Sequence, residues 1–392
     1  MTIPTTGRLT YLDQFRGYTV FGMIVVNYLG NYPQQIHQIF HHHNTYCSYA
    51  DTIMPQFFFA VGFALRFTMV KRLASEGATA AHWRIVKRVF GLLLIGALVH
   101  GFNSVGASWK TLTTEKDVLY WLRQTLTRDF FQTLTHIAVT TLWVLPVIGK
   151  RWPSRLLWLI GSAMLHLYLS SEFYLQFAQE RPVIDGGPLG FLTWSIPVLV
   201  GSFASDFVTQ PGVKHVFAKL VTASVLVMAL GYGLSCLNYP PALGRETAGP
   251  VVLAAPPFMP PYDAANADAS YEQRHKLDRK NVITLWTMSQ QTGATSYLVF
   301  GAGFSILVLA ICWWLFGDGT GENRCPEVAI FRSLGSNALI AYIVHGMAID
   351  AVQKLYPKDS PLWLVLFGLV VVMWITWLVC AWLEKRGWYV RV

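Results

Sequence analysis

Charged residues are scarce in this chain of 392 residues: Asp, Glu, Lys and Arg make up 13% of it, against roughly a quarter in soluble proteins. So few charges cannot cover the surface of a soluble domain of this size, which excludes a soluble globular protein. Cysteine is also scarce, and the five cysteines form no CxxC pair and no metal-ligand spacing. A disulfide between Cys47 and Cys236 stays open as an alternative to free thiols.

Apolar residues are abundant instead, at 53% of the chain with a mean hydropathy of +0.40. They fall into blocks of about 20 residues, the length at which a helix crosses a bilayer. We therefore predict an all-α, multi-pass transmembrane helical bundle in which residues 1–392 form a single domain. The ten predicted spans are 10–31, 51–71, 85–104, 129–149, 154–171, 188–208, 213–236, 294–316, 333–353 and 361–384.

The basic residues predict an orientation for these spans. The net charge of +9 is spread over short clusters between apolar blocks, so it does not indicate nucleic acid as a partner. An N-terminus on the inside places more Lys and Arg in the cytoplasmic loops, as the positive-inside rule requires, and an even number of spans then puts the C-terminus inside as well. In this orientation the Pro-rich and polar segment 237–280 is a long external loop, either a lid over the substrate or a linker.

Polar groups within or beside the spans are the candidate functional residues, because such groups are costly in a membrane. The first span carries Asp13, Arg16 and Asn27, and the external loop after it contains the run His41-His-His43. Three interpretations of this run stay open: a metal site, a solvated loop without a chemical role, and a general base in a membrane-facing active site. Residue types alone do not choose among three adjacent imidazoles.

Four segments carry a resemblance to a known family. In order they are Arg8-Leu-Thr-Tyr-Leu-Asp-Gln-Phe-Arg-Gly17 with Met23-Ile-Val-Val-Asn27, Ala50-Asp-Thr-Ile-Met-Pro-Gln-Phe-Phe-Phe-Ala-Val-Gly62, Leu285-Trp-Thr-Met-Ser289, and Gly335-Ser-Asn-Ala-Leu-Ile-Ala-Tyr-Ile-Val-His345. They resemble the heparan-alpha-glucosaminide N-acetyltransferase family of transmembrane acyltransferases, and the resemblance runs in register over nearly the whole chain.

The resemblance implies an activity and a catalytic residue. Members of that family move an acetyl group from cytosolic acetyl-CoA across the membrane to an amino sugar, and their catalytic histidine lies ten residues before the aspartate that corresponds to Asp51. The matching residue is His41, as general base or as acyl acceptor. We expect Asn27 to donate to the thioester carbonyl or, alternatively, to bond a neighbouring helix. We expect Asp51 to be a helix N-cap that also fixes the histidine loop, with a direct bond to His41 as the alternative.

Binding residues for the donor and acceptor are expected on either side of this site. Arg16, Lys87 and Arg88 are candidates for the phosphates of acetyl-CoA, although the positive-inside rule explains them equally well. Asn337 and His345 are expected on one face of the ninth span, where they line the same cavity or make a structural hydrogen bond. No metal is predicted among the cofactors.

The sequence also departs from the family. Asn44-Thr-Tyr46 stands where the family has Trp-Asn-Gly, and the Pro-Glu-Gly motif expected near Trp194 is absent, so the identity of the sugar or glycan acceptor is not carried over. We expect a possible homodimer surrounded by membrane lipid, in a bacterial inner membrane with the acceptor on the periplasmic side. The rival function is a transporter or flippase for a glycan or anionic substrate. It predicts paired repeats and broken helices, and the sequence indicates neither.

Overall fold

All regular structure in the described residues is helical, which confirms the all-α class. The computed structural model describes residues 9–100, 130–180, 183–210, 212–238, 257–258, 283–317 and 324–389. The helices are α1 (Thr10–Leu29), α2 (Tyr49–Ser75), α3 (Ala78–His100), α4 (Thr133–Ile148), α5 (Trp152–Leu169), α6 (Leu175–Glu180), α7 (Phe191–Val208), α8 (Val216–Ser235), α9 (Thr295–Phe316), α10 (Ala329–Ser336), α11 (Ala338–Gln353) and α12 (Leu362–Lys385). A π-helical turn, Ser170–Tyr174, joins α5 to α6.

Each predicted span overlaps at least one of these helices. Within the described residues, six helices are long and apolar enough to cross a membrane, or seven if α10 and α11 form one broken span. Three helices at predicted spans fall short: α4 has only 16 residues, α1 carries Asp13 and Arg16 in its first two turns, and α3 carries Arg84, Lys87 and Arg88. The total of ten spans and the orientation of the termini therefore stay predictions.

Paired glycines bring the backbones of α2 and α7 into contact at the centre of the bundle. A Cβ atom on Gly62 would lie 1.8 Å from the carbonyl oxygen of Val198, and one on Gly201 would lie 2.1 Å from that of Phe59. Small residues at such crossings are typical of membrane helices, where close packing replaces the hydrophobic effect between helices.

A second close crossing joins α1 to α10. A Cβ atom on Gly17 would lie 1.8 Å from the Phe331 carbonyl oxygen, and one on Gly335 would lie 2.2 Å from that of Asp13. The buried Gln14 side chain accepts from the Val328 N–H at 3.2 Å and donates to the Val328 carbonyl at 3.3 Å. Two motifs that lie far apart in the sequence are therefore in direct contact.

The predicted ninth span, 333–353, is wrong as a single helix. The chain bends by 100° between α10 and α11, and Asn337 at the bend has the non-helical angles φ −122° and ψ 42°. The expectation that the chain has no broken helix is therefore also wrong. Because Asn337 lies between two helices rather than within one, its predicted position on the same helical face as His345 is wrong as well.

The loops gather at two opposite ends of the bundle. One end, the histidine end, holds residues 30–48, 183–190 and 283–294; the other, the arginine end, holds residues 76–77, 149–151 and 324–328. At the arginine end Asp206 of α7 accepts from Arg66 of α2 at 2.7 Å and also bonds Arg155 of α5. Arg155 is fully buried.

Phe258, one of the two described residues of the long Pro-rich segment, docks at the histidine end. The Phe258 N–H donates to the Cys47 carbonyl at 2.9 Å, and the Phe258 ring packs against Phe300 and Phe304 at centroid distances of 5.8 and 5.5 Å. Phe258 therefore lies at the same end of the bundle as the histidine loop. The prediction of a lid or a linker concerns residues 239–282, and all of these except 257–258 lie outside the described part. All five cysteines are free, so no Cys47–Cys236 disulfide forms.

Candidate functional site

A capping box fixes the end of the histidine loop, residues 30–48. Ser48 is the N-cap of α2: its Oγ accepts from the Asp51 N–H at 3.3 Å, and the Asp51 carboxylate accepts from the Ser48 N–H at 3.0 Å. The prediction that Asp51 is the N-cap is therefore wrong, because Asp51 occupies the third helical position. Its carboxylate faces back over the loop and is 1% exposed.

Asp51 orients the ring of His42. Its Oδ1 lies 2.8 Å from His42 Nδ1, and its Oδ2 accepts from the His43 N–H at 3.3 Å. The predicted role of Asp51 in fixing the histidine loop is confirmed. The direct bond considered for His41 is made instead by the next residue, and the His41 side chain is buried with 6% exposure.

The bond to Asp51 sets the chemistry of His42. A carboxylate only accepts, so Nδ1 carries the proton and Nε2 of the neutral ring holds the free lone pair. Burial acts to lower the pKa of His42, but the hydrogen bond and charge of Asp51, with the charge of Asp185, raise it above its usual value. The ring is 38% exposed. A histidine that is oriented, accessible and made more basic is suited to act as a general base.

A second carboxylate, Asp185, lies in the turn between α6 and α7. It is 5% exposed, and its side chain accepts from Gln290 Nε2 at 2.8 Å. Its backbone is left-handed with φ 54°, and its carbonyl accepts from Trp194 Nε1 at 2.7 Å. Burial raises the pKa of Asp185 to about 6, against the opposing effects of His42 and Gln290 and with a contribution from the charge of Asp51.

Asn44 joins the histidine loop to the chain segment that carries Gln290. Its side chain is 3% exposed, and its Oδ1 accepts from Ser289 Oγ and from the Gln291 N–H, both at 3.2 Å. The Gly186 N–H in turn donates to the Gln291 carbonyl at 2.9 Å. Three loops thus form one polar site, the imidazole–carboxylate site, whose members are His42, Asn44, Asp51, Asp185 and Gln290.

Sequence reasoning missed Asp185. The signal present is Asp185-Gly-Gly187, which is typical of a tight turn between helices, and turn residues of this kind are too common to indicate a site by themselves. Across the described ranges, no group of three or more His, Cys, Asp or Glu side chains is placed to hold a metal ion.

Asn27 and His345 meet between α1 and α11. Asn27 Nδ2 lies 3.0 Å from His345 Nε2, and His345 Nδ1 lies 3.1 Å from the Ala341 carbonyl. Because a carbonyl only accepts, Nδ1 carries the proton of the neutral ring and Nε2 accepts from Asn27. This is the bond to a neighbouring helix considered as the alternative for Asn27. Asn337 does not join the pair: it is buried at the helix break, with Nδ2 3.5 Å from the Cys380 carbonyl.

The three basic candidates separate into two groups. Arg16 lies 3.9 Å from Asp13, and Arg88 of α3 interacts electrostatically with Arg16 and with Arg72. Lys87 instead places its Nζ 5.6 Å from the centre of the Trp83 ring, on an exposed face of α3. Arg16 and Arg88 therefore lie within electrostatic range of each other near the arginine end, whereas the Lys87 side chain packs on Trp83.

Comparison with known proteins gives one family. The model of a family described as an acyltransferase domain matches residues 9–381, nearly the entire chain. No curated protein matches the chain.

Proposed function

The chain belongs to this acyltransferase family, and from that premise we propose that it transfers an acetyl group from acetyl-CoA to an amino sugar or glycan on the opposite side of the membrane. The family and the apolar helices give a membrane acyltransferase. The donor, the acceptor and the catalytic residues are the proposed part. We further propose a bacterial inner membrane with the acceptor on the periplasmic side, and a homodimer.

The observation that carries the proposal is the bond between Asp51 and His42. A buried carboxylate holds an accessible imidazole at 2.8 Å, in the arrangement that general bases of acyl transfer use. In this role Nε2 takes the proton from the attacking amine or hydroxyl, and Asp51 stabilises the imidazolium that forms.

Two histidines compete for the role of base. The family resemblance predicts His41, as base or as acyl acceptor, and the geometry favours His42 because the Asp51 carboxylate bonds its ring. His43 is a natural control, because its ring stacks on Tyr46 at 4.4 Å and its Nε2 lies 3.1 Å from the Gln38 carbonyl. The three adjacent imidazoles can thus be compared in one background.

Donor binding is proposed at the other end of α1. Arg16 and Arg88 form a basic cluster there that suits the phosphates of acetyl-CoA. Asn27 lies further along the same helix, at the level where the thioester would end. In the structure the Asn27 amide donates to His345. For this amide to donate to the thioester carbonyl instead, its bond to His345 has to break when acetyl-CoA binds.

The test is acceptor-dependent release of CoA by the purified full-length protein. Acetyl-CoA, glucosamine and a thiol reagent are mixed with the wild type and with His41→Ala, His42→Ala and His43→Ala. We expect His42→Ala to reduce the rate by about 10²–10⁴-fold and His43→Ala to retain it. Loss of activity in His41→Ala alone would instead identify His41, the residue that the resemblance predicts, as the catalytic histidine. Full activity in both would reject an imidazole base in this loop.

The broken helix favours a second candidate, a transporter or flippase, because discontinuous helices line many transport sites. This alternative predicts uptake of a labelled glycan into proteoliposomes without release of CoA. Absence of CoA release across amino sugars and hydroxyl acceptors, together with such uptake, would replace the acyltransferase proposal.

A further inference from the structure

A polar cavity of about 360 Å³ lies at the histidine end, where the loops that follow α1 and α11 meet. Its volume falls within the range of small-molecule sites, which begins at roughly 300 Å³. Its lining includes Asn31, Tyr32, Asp350, Gln353, Lys354 and Lys358. None of these residues belongs to the imidazole–carboxylate site, so the cavity is a separate feature of the molecule.

The charged groups that line the cavity are not neutralised by one another. Asp350 and Lys354 are four residues apart, the spacing of an ion pair on a helix, yet neither forms an ion pair within the described residues, and neither does Lys358. All three residues are exposed. A ligand that carries both an anionic and a cationic group satisfies both signs at once. Because the lining has one surplus positive charge, the two lysines are the partners of the anionic group.

Two further lining residues have buried donors that no acceptor in the described part of the chain satisfies. Gln353 Nε2 is buried and makes no hydrogen bond there. Tyr32 is 1% exposed, its ring packs on Tyr28 at a centroid distance of 5.3 Å, and the two hydroxyl groups interact. A bond between two hydroxyls uses only one of their protons, so one donor is left over. Buried donors are normally hydrogen-bonded, and a group rich in acceptor oxygens is the partner that these two lack.

The surroundings of the cavity are those of a lipid headgroup. The helix that follows it, α12, is long and apolar enough to cross a membrane. Exposed apolar residues flank the cavity along the chain: Leu355 follows Lys354, and Leu362 and Trp363 begin α12. Tryptophan and lysine at the end of a membrane helix are typical of the headgroup level of the bilayer. Acyl chains can therefore pack on the apolar residues while the headgroup occupies the cavity.

We propose that this cavity binds the phosphoethanolamine headgroup of a phospholipid. Lys354 and Lys358 bind the phosphate, whose oxygens also accept from Tyr32 and Gln353. Asp350 accepts from the ammonium group. A choline headgroup has no N–H group for Asp350, and a glycerol headgroup has no positive charge, so the site distinguishes these three headgroups. The proposal goes beyond acyl transfer and does not depend on it.

Native mass spectrometry of the purified, delipidated full-length protein tests the proposal. Phosphatidylethanolamine, phosphatidylcholine and phosphatidylglycerol with identical acyl chains are titrated separately, and the affinity of the first bound lipid is measured. We expect phosphatidylethanolamine to bind about tenfold more tightly than the other two, because only it offers a charged donor to Asp350. Equal affinities for the three lipids would overturn the proposal.

Paired lysine variants locate the phosphate. The double variant Lys354→Gln, Lys358→Gln should weaken binding of phosphatidylethanolamine by about tenfold or more. The double variant Lys214→Gln, Lys219→Gln is the matched control, because it removes the same charge from exposed positions at the start of α8 and should bind like the wild type. Thermal unfolding verifies that both are folded. Unchanged affinity in the folded cavity variant contradicts the assignment.

An aspartate variant tests the ammonium group separately. Asp350→Asn should lower the affinity for phosphatidylethanolamine to that for phosphatidylglycerol, with little change in the latter. Asp359→Asn, at an exposed position outside the named lining, should keep the wild-type preference. A preference that persists in Asp350→Asn would show that this carboxylate does not select the headgroup.

Soluble ligands distinguish a lipid from a free phosphate compound. Phosphoethanolamine and inorganic phosphate are titrated into the same protein, and we expect both to bind more weakly than the lipid because they lack acyl chains. Phosphoethanolamine that binds as tightly as phosphatidylethanolamine would overturn the lipid as the source of the headgroup. None of these measurements involves turnover, so their outcome is independent of the release of CoA.

Discussion

At the residue scale, the buried carboxylate of Asp185 lowers the stability of the folded protein when it is charged. Its pKa of about 6 lies above the ordinary value of 3.8, chiefly because burial disfavours the charged form. A purely structural position would gain from an uncharged residue here. The charged form of Asp185 therefore lowers the stability of the folded protein, and this loss can be measured.

Asp185→Asn should increase stability at pH 7.5. A carboxyl group whose pKa is higher in the folded protein favours folding when protonated, and that advantage is lost as the pH rises from about 4 to about 6. Above this range the charged form costs up to about 3 kcal/mol, which the amide avoids. Thermal unfolding in detergent should show the variant more stable at pH 7.5 and the difference shrinking toward pH 4. A variant that is less stable at pH 7.5 contradicts the assigned cost.

Contacts between residues close in the sequence could be predicted, whereas contacts between distant loops could not. Asp51 and the histidine run lie within one loop and a helix start, so their proximity follows from local spacing. Asp185 and Gln290 come from separate loops more than a hundred residues apart, and a turn signal at Asp185 says nothing about which loop it meets. That Asp51 bonds His42 rather than His41 also depends on the exact path of the loop, which spacing alone does not give.

At the scale of helices, the two arginines on Asp206 hold three helices together at the arginine end. Arg66 also donates to the Ile148 carbonyl at 2.8 Å and so caps α4, while Arg155 donates to Ser202 Oγ at 2.7 Å. The group is a structural clamp, because the cations face a carboxylate, a hydroxyl and backbone carbonyls.

Asp206→Asn should destabilise the fold markedly. It leaves the fully buried Arg155 without its carboxylate, a change that costs about 3–5 kcal/mol for buried pairs, and the lower end applies because Asp206 is 39% exposed. Glu76→Gln is the matched control: it breaks an exposed pair with Arg84 at 2.9 Å and should cost less than about 1 kcal/mol. Unfolding midpoints measure both, and equal effects of the two variants would argue against the clamp.

The two glycine positions at the crossing of α1 and α10, Gly17 and Gly335, should tolerate no larger residue. Gly17→Ala places a methyl group 1.8 Å from the Phe331 carbonyl and must push the helices apart, so we expect loss of folded protein. Gly161→Ala in α5 has open space within 4 Å and should be neutral or stabilise by up to about 1 kcal/mol. The yield of monodisperse protein in size-exclusion chromatography compares them. Equal yields would show that the two backbones can separate without harm.

At the scale of the whole molecule, the alternation of the loops was predictable and the break in the bundle was not. Apolar blocks located the helices, and the bond between Phe258 and Cys47 places Phe258 at the same end as the histidine loop. The side of the membrane on which that end lies stays a prediction. No proline marks the bend at Asn337, so the sequence of residues 333–353 carries no signal for it. The close contact between α10 and α1 involves residues more than 300 positions apart, and local sequence does not indicate it.

The free cysteines allow the orientation to be tested. Cys236 follows α8 at the histidine end, and Cys325 precedes α10 at the arginine end; both are partly exposed. In right-side-out membrane vesicles, a membrane-impermeant maleimide should label a variant that retains only Cys236 and spare one that retains only Cys325. Permeabilised vesicles, in which both should be labelled, are the control. The reverse pattern would invert the predicted orientation.

The placement of Arg16 and Asn27 on one unbroken helix sets the length of the proposed donor. The two residues are about three turns apart on α1, or roughly 16 Å along its axis. In the proposed binding mode, a donor whose phosphates rest at Arg16 carries its acyl group on a flexible arm of at least this length. The proposal therefore predicts that short activated acyl compounds, which lack such an arm, are poor donors.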